Sequence, residues 1–111
     1  MSPRFVPDRG DLIWLQFDPQ AGHEQRGIRP TFVVSPRSYN EKVGLALMCP
    51  VTSRVKGYPF EVLVNGAVVS GAVLADQVKS LDWAIRKAKL IEKAPPPVVS
   101  EVIAKIRALL D

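Results

Sequence analysis

The punctuation of this chain limits its fold more than any other feature. Ten prolines and seven glycines divide 111 residues into short apolar runs. The clearest runs are 11–17 (DLIWLQF), 31–35 (TFVVS), 45–51 (LALMCPV), 60–64 (FEVLV) and 71–78 (GAVLADQV). They are rich in β-branched and aromatic residues, which fit a pleated, half-buried surface. Pro19, Gly22, Gly27, Pro30, Asn40, Gly44, Gly57, Pro59 and Asn65-Gly66 separate them. That spacing predicts a mainly β domain, an antiparallel barrel or sandwich. Asn65-Gly66 favours a type I′ turn, so 60–64 and 67–69 read as a hairpin. Pro50 has no N–H for a ladder, so its strand is expected at an edge, bulged or ending there. Residues 87–91 read as a further strand and 38–43 as one helical turn.

The one clear helix is at the end. Val99, Val102, Ile103, Ile106, Leu109 and Leu110 recur at helical spacing, and Pro95, Pro96 and Pro97 stand where a helix tolerates proline. Such a helix is expected to cap an open end of the barrel. The length predicts one domain, residues 1–111, and 47% apolar residues suffice for a core without staples. A single cysteine, Cys49, forbids an intrachain disulfide and argues for a reducing, cytoplasmic setting. The first residues, MSPRFVPDRGD, lack the apolar segment of a signal peptide, and no run is long enough to span a membrane.

Fifteen Lys and Arg against eleven Asp and Glu give a charge of +4, compatible with a polyanionic partner. The chemistry concentrates in the turn FDPQAGHEQRGIRP, residues 17–30. Pro30 restricts Arg29 to an extended backbone, and so limits where its guanidinium points. A guanidinium grips phosphate oxygens bidentately. Glu24, five residues earlier, is placed to accept a proton or to orient Arg29 by an ion pair, and Arg26 is an alternative phosphate contact. Thr52, at the end of a strand, offers a hydroxyl donor. Arg54 and Lys56 follow in a loop with Gly57, suited to phosphate contacts that position a strand. His23 is the only histidine, so a two-histidine acid–base pair is impossible within one chain. No His, Cys, Asp and Glu cluster has metal-ligand spacing, so no cofactor is expected. Trp14 and Trp83 have faces for base stacking, but Trp14, in an apolar strand, reads as core.

Three blocks resemble the MazF/PemK toxin family, and its MazF branch most. The first contains Gly10-Asp11-Leu12, Phe17-Asp18-Pro19, Gly22, Glu24-Gln25, Gly27 and Arg29-Pro30. The second contains Pro50-Val51-Thr52 and Lys56-Gly57-Tyr58-Pro59-Phe60-Glu61. The third is Leu74-Ala75-Asp76-Gln77-Val78-Lys79-Ser80. The resemblance implies an SH3-like barrel with a C-terminal helix, working as a homodimer. It implies a metal-independent endoribonuclease of a type II toxin–antitoxin system, which cuts single-stranded RNA and leaves a 2′,3′-cyclic phosphate and a 5′-hydroxyl. It carries over Arg29 and Thr52 as the catalytic pair, with Glu24 as helper. It places Asn40, Lys56, Asp76, Gln77 and Lys79 along the RNA groove, to which the basic loop adds Arg54. It implies a MazE-like antitoxin whose acidic tail covers that groove. Arginine is effectively never deprotonated, so Glu24 or water is the preferred base. A non-catalytic toxin of the CcdB kind, or a binding module on the same fold, is the alternative, and neither needs Arg29 together with Thr52.

Overall fold

The computed structural model describes residues 4–17 and 27–111. The elements run β1 (Asp11–Gln16), β2 (Ile28–Val33), α1 (Arg37–Val43), β3 (Leu45–Thr52), β4 (Glu61–Asn65), β5 (Ser70–Leu74), β6 (Lys79–Asp82), β7 (Lys89–Lys93) and α2 (Pro96–Leu110). The strands form one curled antiparallel sheet in the order β4-β5-β3-β2-β1-β7, with β6 paired to β3. α2 closes it, as the periodicity predicts.

The curl gives the sheet two apolar faces. One holds Leu12, Phe32, Cys49, Val62 and Val73, and α2 lies on it through Val98, Val99, Val102, Ile103 and Ile106. Val102 is fully buried there, which contributes about 2 kcal/mol of transfer free energy. The other face holds Ile13, Leu15, Val33, Ala46, Met48 and Trp83, covered by Phe5 and Val6 of the N-terminal segment. Alternate residues of β1, β2 and β3 serve opposite faces, as a strand period of two requires.

Four expectations change. β3 is a central strand, not an edge. Its pairing to β6 stops at Met48 and its pairing to β5 starts at Val51, so Pro50 stands at the changeover, where one neighbour has left and the next has not begun. β3 is therefore largely buried, and the exposed apolar side chains lie elsewhere, at Trp14, Leu63, Val68, Ile85, Leu90, Leu109 and Leu110. The second hairpin strand starts at Ser70, because the turn is a four-residue loop closed by Gly66 N–H donating to Val69 O at 2.8 Å. The Glu92 carboxylate outcompetes a tight turn there, accepting from the N–H groups of Ala67, Val68 and Val69 at 3.0, 2.9 and 2.7 Å. The run 71–78 breaks at Leu74, where Gln77 N–H donates to Leu74 O at 3.0 Å, and β6 begins at Lys79. Trp14 is 41% exposed and is not core. Among the described residues no helix is long and apolar enough to cross a membrane.

Candidate RNA-cleavage groove

The β2–β3 ladder sets the site. Thr31 pairs with Pro50, Phe32 with Cys49 and Val33 with Met48. Continued two residues outward, the same register puts Arg29 opposite Thr52, on the face shared by Thr31 and Pro50. Both residues line one groove of about 710 Å³, with Phe17, Met48, Pro50, Arg54, Ser70, Gln77, Lys79 and Leu81 among its walls. Lys79 arrives through β6, where it pairs with Met48.

Local bonds orient these groups. Thr31, fully buried, donates its hydroxyl to Arg29 O at 3.3 Å and steadies the backbone that carries the guanidinium. Arg54 N–H donates to Thr52 Oγ1 at 3.0 Å. With that lone pair engaged, the Thr52 hydroxyl proton is available to an acceptor in the groove. Gly71 seats β5 against the same residue, and a Cβ there would lie 2.2 Å from Thr52 O. Arg29, Arg54 and Lys79 give the groove a cationic lining suited to a phosphodiester, and the Thr52 hydroxyl is a neutral donor beside them.

The remaining predicted residues are placed differently. Glu24 lies outside the described residues, as do His23 and Arg26. Lys56 and Asp76 sit outside the groove lining. The loop carrying Lys56 is closed on Glu61, whose carboxylate accepts from Lys56 N–H at 3.1 Å and Gly57 N–H at 2.6 Å. Asp76 accepts the Tyr58 hydroxyl, tying that loop to the turn that bears Gln77. This bond, with the Asp76 charge, pushes the Tyr58 hydroxyl up to about 12, so it stays a protonated donor.

Asn40 is a correction. It is fully buried, donating Nδ2 to Pro7 O at 2.8 Å and to Ser35 O at 2.9 Å, while its main-chain carbonyl accepts Trp83 Nε1 at 3.0 Å. It holds α1 to the N-terminal segment and has no surface to offer RNA. Trp83, 2% exposed, is core rather than a stacking platform. Ser70, Phe17 and Leu81 line the groove unforeseen; their signal was strand pairing, which places Ser70 beside the end of β3. Among the described residues no three His, Cys, Asp or Glu side chains group to hold a metal ion. Burial pushes the Cys49 thiol up to about 12, so it is not a nucleophile.

A curled antiparallel sheet with a C-terminal helix, and a cationic groove at the β2–β3 end, is the architecture of one class of small toxins. The chain belongs to the family of PemK-like, MazF-like toxins of type II toxin–antitoxin systems, whose model matches residues 8–110, and its class of activity is that of an endoribonuclease. It is 48% identical over 110 residues to the endoribonuclease toxin MazF of Escherichia coli K12, covering 99% of both chains. A crystal structure of MazF from Deinococcus radiodurans superposes with a TM-score of 0.85 at 55% identity, over 96% of this chain and 98% of that one. A MazE–MazF complex from the same organism superposes equally well, with a TM-score of 0.85 at 48% identity, over 96% of this chain and 97% of that one.

Proposed function

We propose that this chain cleaves single-stranded RNA without a metal ion, by attack of a 2′-hydroxyl on its own 3′-phosphodiester. The convergence of Arg29 and Thr52 on one groove carries this reading. In the attack, the 2′-oxygen bonds to phosphorus, the 5′-oxygen leaves with its electron pair and takes a proton, and the products are a 2′,3′-cyclic phosphate and a 5′-hydroxyl. The negative charge that develops on the phosphorane oxygens is the feature to stabilise. Arg29 supplies a planar cationic fork and Thr52 a neutral donor, while Arg54 and Lys79 hold the flanking phosphates. Gln77 offers amide donors and acceptors to a base edge. Glu24, or a water molecule, takes the 2′-hydroxyl proton, as an arginine effectively never does so.

The chain acts as a homodimer in the cytoplasm, and a MazE-like antitoxin with an acidic tail holds it inactive. Support for the partner comes from the likeness to a MazF crystallised with MazE. The test is Arg29→Ala and Thr52→Ala, purified and folded. Losing a donor to the developing oxyanion costs about 2.7–4 kcal/mol, or roughly 10²–10³ in rate. Near-normal cleavage by folded Arg29→Ala would remove Arg29 from the site.

A further inference from the structure

The geometry points to Arg86 as a positioning residue that acts through Arg29. The inference rests on the role given to Arg29 above. Arg86 Nη1 donates to Gln16 O at 3.2 Å and also to Phe17 O, two consecutive carbonyls at the end of β1. The contact is reciprocal, since Gln16 N–H donates to Arg86 O at 2.9 Å. This is where the β1–β2 ladder ends: Gln16 pairs with Ile28, and Phe17 N–H donates to Gly27 O at 2.9 Å. Arg29 is the next residue inward on β2, opposite Leu15. A strand end frays unless something holds it, and here a guanidinium holds both terminal carbonyls. Phe17 itself lines the groove, so the clamp also fixes one wall.

The clamp has a firm base. Trp83 is buried and anchored by Nε1 to Asn40 O. From it the chain turns tightly: Asp82 Oδ1 accepts from Ala84 N–H at 3.0 Å and Ile85 N–H at 2.9 Å, and Ala88 N–H donates to Trp83 O at 3.0 Å. Core tryptophan, tight turn, Arg86, the end of β1 and Arg29 are thus a continuous path of bonds. Arg86 is absent from the groove lining and reaches the groove only through Phe17, whose carbonyl it holds. Arg86 accordingly sets the position of the Arg29 guanidinium rather than contacting RNA.

The test is a mutant cycle with two readouts. Arg86→Ala is expected to lower kcat by roughly 10–100-fold, as for a misplacement near 1 Å. KM should change by less than about threefold, because phosphate contacts elsewhere in the groove remain. In an Arg29→Ala background the same change should cost less than about twofold, since the group it positions is gone. Amide exchange should accelerate at Phe17 and Gln16 while Ile13 and Leu15 stay protected. Arg86→Lys, whose ammonium is a compact point charge in place of the fork, should give an intermediate rate; it carries the cycle if Arg86→Ala fails to fold. Additive losses overturn the positioning role while leaving Arg29 in the site. A wild-type rate in folded Arg86→Ala or Arg86→Lys with faster Phe17 exchange overturns it too. Near-normal cleavage by Arg29→Ala removes both the role of Arg29 and this proposal.

Discussion

Gly71 lets the site be perturbed without altering any group proposed to meet RNA. A Cβ at this position would stand 2.2 Å from Thr52 O and 3.1 Å from Thr52 C, where ordinary contact begins at 3.4 Å. Both contacts are backbone, so no side chain can swing aside. In Gly71→Ala the Cβ and that oxygen must therefore part by the difference, about 1.2 Å. β5 is held by β4 along five residue pairs but by β3 at only two, Val51↔Val73 and Thr52↔Ala72. The end of β3 is the weaker partner, and it should move. A displacement near 1 Å at a catalytic group costs on the order of 10²-fold in rate. Overpacking itself costs about 1–3 kcal/mol of stability. The assay is single-turnover cleavage of a fluorogenic RNA oligonucleotide, run well below a separately measured melting temperature. A stable, dimeric Gly71→Ala protein that cleaves at the parental rate would refute the placement of Thr52 in the chemistry.

Three further outcomes are expected. Asn40→Ala should lower stability by roughly 2–4 kcal/mol, because buried carbonyls lose their donors; cleavage per folded molecule should be unchanged, and a specific loss of RNA affinity would restore Asn40 to the groove. Lys79→Ala should weaken RNA binding and flatten the salt dependence by about 0.7 in the log–log slope, the increment for one phosphate on a single strand. The N–H of Val69, then that of Val68, and to a lesser degree that of Ala67 hold the Glu92 carboxyl below its ordinary value near 4.5. A depressed folded pKa stabilises above the unfolded pKa, and the contribution is lost as pH falls through the folded one. Glu92→Gln should therefore melt below the parent at neutral pH, with the gap closing on acidification below about 4.5; a gap independent of pH would contradict the charge's role.

The legible parts of this fold were local. The helical period of 98–110 and the apolar runs at 11–17 and 60–64 appear as α2, β1 and β4, because α2 lays one stripe on the sheet and β1 is buried on both of its faces. The illegible parts depended on contacts distant in sequence. Glu92 caps a loop some 25 residues earlier, so Asn65-Gly66 looked like a tight turn when read alone. Pro50 marked an edge, a bulge or a strand end without telling which, because nothing local reveals that β6 leaves and β5 arrives around it. Asn40 was misplaced for the same reason: its partners, Pro7 and Trp83, lie 33 and 43 residues away. In the site, Arg29, Thr52, Arg54, Gln77 and Lys79 were legible from motif and charge. Ser70 and Phe17 were not, since only strand pairing brings them to the groove. Arg86 had no motif at all, because its bonds are to main-chain carbonyls, which any sequence supplies.

The central claim is that Arg29 and Thr52 stabilise 2′-hydroxyl attack without help from a metal ion. End-group analysis of RNA cut in the presence of EDTA tests it most directly. The expected result is undiminished cleavage with 2′,3′-cyclic phosphate and 5′-hydroxyl ends, abolished when the scissile nucleotide is 2′-deoxy. Cleavage that stops with chelator and returns with Mg²⁺, or that leaves 5′-phosphate ends on a 2′-deoxy substrate, would contradict it.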